Sequence, residues 1–205
     1  TGADLATLLA ERRTGRPVIG ALLAIEGLHA IEGRLDNLDT LAAAGFRMFG
    51  LTHFFDNAVG GSAHGVDKGG LTAFGRAVVA RIDSLGVLLD LAHASPRLID
   101  DVLGATRRPV VVSHAGVRGT CPGLRNLSDD QLRRIAAGGG LVGIGYWDGA
   151  ICEPSVAAFV RAIVHAIAVA GDDHIALGSD FDGGTTTPFD ASGMGVVVAA
   201  LQGAG

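Results

Sequence analysis

Gly-Val-Leu-Leu-Asp-Leu-Ala-His, residues 86–93, and Pro-Val-Val-Val-Ser-His, residues 109–114, are two short aliphatic runs that each end on a histidine. A strand buried on both faces of a parallel sheet reads as such a continuous apolar run, and the carboxyl ends of these strands are where barrel enzymes assemble their chemistry. The same form recurs in Val18 to Glu26, in Phe46 to His53 and in His174 to Asp180. Five strand-like runs thus each deliver one side chain suited to binding a metal or moving a proton.

Outward from these runs, periodicity predicts strands over 18–26, 46–52, 87–91, 109–113, 140–146 and 174–179. Apolar residues at helical spacing predict helices over 34–44, 71–85, 96–104, 128–137 and 155–170, with a last one beginning near Ser192. Ser95-Pro96 supplies an N-cap followed by proline at the first helical position, and Ser128 precedes Asp129 and Asp130 in a first turn. Between 57 and 70 lies a glycine-rich stretch that reads as a mobile connection over one face, of the kind that caps active sites.

Strands alternating with helices imply βαβ crossovers and a parallel sheet, closed either as a doubly wound open sheet or as a (β/α)₈ TIM barrel represented by about six units. An open sheet concentrates its ligands at one switch point, whereas a barrel collects a residue from many strand ends. The barrel, as a single catalytic domain over 1–205, fits the side chains.

Composition narrows the function. The chain has 205 residues, 48% hydrophobic and 18% charged, with a formal charge of −5 and no run of Lys or Arg, which argues against a nucleic-acid partner. No apolar stretch spans a bilayer; the most hydrophobic, 156–170, is interrupted by Arg161 and His165. Cys121 and Cys152 show no spacing of a thiolate metal site and leave the redox compartment open. The opening Thr-Gly-Ala-Asp-Leu and the closing Leu-Gln-Gly-Ala-Gly read as the ends of a piece of a longer protein, truncated on both sides.

Each candidate has a functional and a bland reading. His93 and His114 lie about one αβ unit apart, so adjacent strands place both imidazoles over one barrel mouth, where neutral imidazoles ligate zinc. Glu26, followed by the flexible Gly27, can bridge two divalent ions through its two oxygens. His53 is either a metal ligand or a donor to an oxyanion. Asp180 can take a proton from an attacking water and return it to a leaving amine; Asp182 reads as a turn residue. Arg125, in a loop, offers a fork for a carboxylate. His64, His165 and His174 read as residues without chemistry.

Taken together, Ala-Ile-Glu26-Gly-Leu-His, Leu-Thr-His53, Leu-Leu-Asp-Leu-Ala-His93-Ala-Ser, Val-Val-Ser-His114-Ala-Gly, Leu-Arg125-Asn and Gly-Ser-Asp180-Phe-Asp-Gly resemble the membrane (renal) dipeptidase family of zinc metallopeptidases, in order and over about residues 18–185. The resemblance implies a dizinc amidohydrolase-type barrel that cleaves dipeptides by attack of a metal-bridging hydroxide. On that analogy Glu26 bridges two Zn²⁺ ions, His93 and His114 ligate one of them, His53 polarises the scissile carbonyl, Arg125 holds the substrate carboxylate and Asp180 moves the proton. His53, Arg125 and Asp180 then contact the substrate. The resemblance leaves a homodimer open and favours a cytoplasmic place for a bacterial-type member, although members occur exported as well.

One departure stands out. The family's His-x-Asp at the end of the first barrel strand is absent, and the six runs match the family's third to eighth strands. The second zinc would keep Glu26 and lack its His and Asp. Two rival functions use the same residues differently: another metal-dependent amidohydrolase such as a deacetylase or lactonase, which needs no carboxylate anchor, and an inactive barrel relative serving as a binding module.

Overall fold

The computed structural model describes residues 1–205. Six parallel strands, β1 (Ala24–Glu26), β2 (Met48–Gly50), β3 (Leu88–Asp90), β4 (Val110–Ala115), β5 (Leu141–Ile144) and β6 (Ile175–Leu177), form one sheet in the order β1-β2-β3-β4-β5-β6. Each strand is added beside its predecessor with no reversal of direction along the sheet. A doubly wound sheet would turn back at a switch point, so the winding is that of a barrel. The sheet does not close: β1 and β6 are its two edges.

All strands but β4 are shorter than the apolar runs that announce them, and at β1 the reason is pairing. Residues 18–22 belong to such a run, but the neighbouring chain enters the sheet only at Arg47, whose N–H donates to the Leu23 carbonyl at 2.9 Å. Upstream of that bond there is nothing to pair with, and Ile19 is 92% exposed. The opposite edge shows the same want of cover. There an apolar cavity of about 450 Å³ opens between Ile163, Ile167, Ile175, Leu177 and Leu201.

Helices α2 (Asn37–Ala43), α3 (Ala73–Leu85), α4 (Pro96–Ala105), α5 (Asp129–Ala137), α7 (Val156–Ala170) and α8 (Met194–Gly203) fall within a few residues of their expected positions. Local capping explains the agreement. Thr72, Ser95, Ser128 and Ser155 each accept a hydrogen bond from the backbone N–H three residues on. Ser128 and Gln131 satisfy one another's backbone N–H groups in a full capping box. Ser128→Ala is expected to cost about 1 kcal/mol, read as a lower urea midpoint at unchanged slope.

Two helices have no counterpart in the periodicity. The first, α1 (Gly2–Arg13), buries no residue and rests on local signals: a Thr1/Asp4 capping box and Arg12 and Arg13 in its last turn. The other, α6 (Asp148–Ile151), is a single turn after β5. No helix is long and apolar enough to cross a membrane.

One core joins sheet and helices. Phe49, Leu89, Val112 and Ile144 from successive strands pack with Val78, Ile82, Leu98, Leu132 and Phe159 from the helices, all essentially sealed from solvent. Tyr146 crosses Phe159 edge to face at 4.6 Å and continues this layer beneath the last strands.

Candidate active site

Sheet register sets the height of the candidate residues. Glu26, Gly50, Asp90 and Val111 are aligned across β1 to β4. His53, His93 and His114 each lie three residues beyond an aligned position, so they reach the same level above the sheet, and Asp180 lies three beyond the last paired residue of β6, Leu177. Two of these strand-end residues have left-handed backbones, His93 at φ 62° and Asp180 at φ 51°. For residues with a Cβ that conformation is uncommon and clusters where a side chain must be aimed. Gly27 turns the chain after Glu26 at φ 95°, and a Cβ there would stand 2.7 Å from His29 Nδ1 and 3.1 Å from His53 Cβ.

Three donors converge at the centre. Glu26 Oε1 stands 3.0 Å from His93 Nε2 and 3.4 Å from His114 Nε2, and the two Nε2 atoms are 3.0 Å apart. Ligands about 2.0–2.1 Å from a tetrahedral zinc would stand roughly 3.3 Å from each other, so these donor atoms have the mutual spacing of one coordination sphere. Protons alone serve them poorly. His93 Nδ1 is buried with no partner, and His114 Nδ1 lies 2.9 Å from Ser113 Oγ, to which it can donate while its Nε2 presents a lone pair. A cation amid Glu26 Oε1 and the two Nε2 atoms would use those three lone pairs, and this donor set fits a divalent metal.

The electrostatics agree. Burial lowers His93 to about 4 and His114 to about 3, so both rings are neutral near pH 7. The hydrogen bond from His93 holds the Glu26 carboxyl down at about 2 against the opposing effect of burial. Neutral imidazoles beside a carboxylate are the protonation states a metal requires. The signs also yield a stability expectation for the metal-free chain. Both imidazoles bind protons less readily folded than unfolded, so their contribution is complete above their ordinary value near 6.5 and is lost as pH falls toward 4. Glu26 adds to the loss only below its ordinary 4.5. Urea midpoints should therefore fall between pH 7 and pH 4.5; a flat series contradicts the burial of the pair.

Around this centre lies a cavity of about 280 Å³ lined by Glu26, His53, His93, Arg125 and Asp180, which brings together every expected site residue except His114, whose ring meets Glu26 from below. His53 Nε2 stands 3.6 Å from Glu26 Oε2. Burial, and next the charge of Glu26, raise the Asp180 carboxyl above its ordinary value. The Arg125 guanidinium sits over the Trp147 ring, 5.6 Å from its centroid, with Nη2 buried and unpartnered. Burial lowers Arg125 to about 10, so it is cationic at pH 7. A buried cationic donor facing a polar cavity is suited to an incoming carboxylate.

The cavity is also lined by His64 and Asp182, which the sequence reads as loop and turn residues without chemistry, and by Phe54, Trp147, Gly183 and Thr185. Trp147 follows β5, the one strand to which no functional residue was assigned, and the strand-end rule could have found it. The His64 ring lies 5.3 Å from that of His93. Beneath the site Asp90 is buried, accepting N–H bonds from Ala92 at 3.0 Å and Ser113 at 2.9 Å, which ties β3 to β4 under the two histidines. By contrast His165 pairs with Asp129, and His174 Nδ1 meets the Gly140 carbonyl, both away from the cavity.

The stretch 57–70 is pinned rather than loose. Asp56 accepts from the N–H groups of Ser62 and Asp67, each at 2.8 Å; Ser62 donates to the His53 carbonyl; and Ser95 donates to that of Gly69 at 2.7 Å. Glycines permit the path, and these side chains hold it. Cys121 and Cys152, which carry no spacing signal, are joined in a disulfide with Cα atoms 5.4 Å apart.

Comparison with known proteins places these features in context. A family model described as membrane dipeptidase (peptidase family M19) matches residues 4–205. An uncharacterized dipeptidase of Schizosaccharomyces pombe is 34% identical over 185 residues, 86% of this chain and 44% of that protein. A dipeptidase of Aspergillus oryzae is 36% identical over 172 residues, 80% of this chain and 41% of its own. The crystal structure of a metallopeptidase from Rhodobacter sphaeroides, liganded with a phosphinate mimic of the dipeptide L-Ala-D-Ala, matches with a TM-score of 0.80 and 31% identity, covering 90% of this chain and 57% of that one. The chain thus spans about half the length of these relatives.

Proposed function

The chain belongs to the membrane dipeptidase family, and on that premise we propose that its strand-end residues serve the zinc-dependent hydrolysis of dipeptides. The observation that carries the reading is the convergence of Glu26, His93 and His114 beside the buried, unpartnered Nη2 of Arg125. A deacetylase or lactonase would have no use for that guanidinium.

His93, His114 and Glu26 would hold one zinc, and Glu26 would be this chain's contribution to a second ion. Bound zinc supplies Lewis acidity at the scissile carbonyl and lowers the pKa of a coordinated water toward 7. Arg125 grips the free carboxylate of the dipeptide and so sets where its peptide bond lies relative to Glu26. His53 donates a hydrogen bond to the carbonyl oxygen as negative charge develops on it. Asp180 accepts a proton from the attacking water and returns it to the leaving nitrogen as the C–N bond breaks, so the amine departs neutral. The phosphinate mimic in the Rhodobacter relative makes L-Ala-D-Ala the first substrate to try.

The test is elemental analysis of bound metal together with amino-acid release from a dipeptide panel. Zinc bound in the purified chain, turnover lost on chelation and turnover restored by added zinc are expected. Release that persists in chelator, or a zinc-loaded protein that hydrolyses an ester or acetamide and no dipeptide, would overturn the reading.

A further inference from the structure

Arg125 is aimed by contacts to a different strand's loop. It lies near the end of the segment 116–127 that follows β4, whereas Trp147, beneath its guanidinium, opens the turn 147–152 that follows β5. Two loops rising from separate strand ends have no covalent reason to keep a fixed relation. Here they are joined twice. The Cys121–Cys152 disulfide links the middle of the first to the end of the second. Asn126, next to Arg125 and buried, accepts from the Gly116 N–H at 3.0 Å through Oδ1, while its Nδ2 donates to the Cys121 carbonyl at 2.8 Å and to the Gly149 carbonyl at 3.1 Å. The backbones touch directly as well, since a Cβ on Gly116 would stand 2.1 Å from the Ala150 carbonyl oxygen.

We propose that the Cys121–Cys152 disulfide and Asn126 form a brace whose task is to position Arg125 over Trp147 for the substrate's carboxylate, so that carboxylate recognition in this protein depends on the oxidised state of the two cysteines. The proposal rests on the reading of Arg125 as the carboxylate anchor. A guanidinium nitrogen buried without a partner is unfavourable, and a free loop would swing it toward water. The brace meets that cost during folding and removes the need to order the loop at binding, where it would weaken affinity. The metal donors Glu26, His93 and His114 lie outside the two bridged loops, and His114 meets the braced turn ring to ring with Trp147 at 5.7 Å. Disulfides persist in oxidising compartments and are lost to reducing ones, so the anchor would be set in the former and relaxed in the latter.

Trp147 is the only tryptophan of the chain and lies directly under the guanidinium, which makes its fluorescence a local probe. The zinc-loaded chain is titrated with the phosphinate mimic of L-Ala-D-Ala and with the same compound as its C-terminal carboxamide. This is repeated for the Cys121→Ser/Cys152→Ser protein, for the parent reduced with dithiothreitol, and for Arg125→Ala. In the oxidised parent the carboxylate compound should bind at least tenfold more tightly than the carboxamide. In the double variant and the reduced parent this preference should fall toward one, with carboxamide affinity and zinc content unchanged, and reoxidation should restore it. A brace that merely stabilised the fold would weaken both compounds alike. If the double variant fails to fold, far-UV circular dichroism reveals it, and the reduced parent carries the comparison.

A preference retained after both substitution and reduction, in a parent where Arg125→Ala abolishes it, overturns the brace and leaves the anchor standing. A parent with no preference, or one indifferent to Arg125→Ala, overturns the anchor and the brace with it.

Discussion

His93→Ala is expected to strip the bound metal from the protein and to lower dipeptide hydrolysis by on the order of 10³-fold or more, about 4 kcal/mol of transition-state stabilisation. The hydrogen-bonding role of the side chain is confined to the centre, its Nδ1 unpartnered and its Nε2 facing Glu26 and His114, while its ring also packs against His53, Phe54 and His64, so a thermal-unfolding control accompanies the variant. Its removal deletes one of three convergent donors and leaves two, too few for a protein site that must also keep a position open for water. Elemental analysis after gel filtration, with parallel assay of amino-acid release, checks the expectation. His165→Ala serves as the control histidine, because its ring meets Asp129 far from the cavity. Full metal content in His93→Ala would mean that the convergence around Glu26 is not the metal site.

Arg125→Ala should lower kcat/KM for a dipeptide by about 2–4 kcal/mol, roughly 30-fold to 1,000-fold, while leaving the corresponding C-terminal amide nearly unchanged. The size follows from the setting. A carboxylate entering beside the Trp147 ring exchanges water for a donor already sealed from solvent, and truncation of the donor leaves that carboxylate desolvated and unpaired. Arg125→Lys should recover only part of the loss, because a single ammonium cannot reproduce the paired N–H geometry of guanidinium. Equal losses on dipeptide and amide would assign Arg125 to the support of the cavity wall instead.

Much of the site is legible in the chain because its logic is local. Phe46 to His53, Gly86 to His93 and Pro109 to His114 each carry strand and functional residue in one short run, and the ends are equivalent once the strands align in parallel. Helix starts at Thr72, Ser95 and Ser128 are legible for the same reason, since the cap and the N–H it serves are three residues apart. Strand lengths are not: whether residues 18–22 pair is settled by where Arg47 enters the sheet. Trp147 is not legible as a site residue, because an apolar strand-end residue looks like core and its contact with Arg125 joins two loops remote in the chain.

The sequence by itself therefore determined the order of the units, the parallel sheet and the candidate donors at its carboxyl edge, because apolar runs, caps and strand-end side chains are written within a few residues of one another. Tertiary structure alone decided the distances among Glu26, His93 and His114, the depressed proton affinity of the two histidines, the seat of Arg125 over Trp147 and the pairing of Cys121 with Cys152. Each of these depends on burial or on contact between segments remote in the chain. No local pattern encodes the desolvation or the meeting of two loops that rise from different strands.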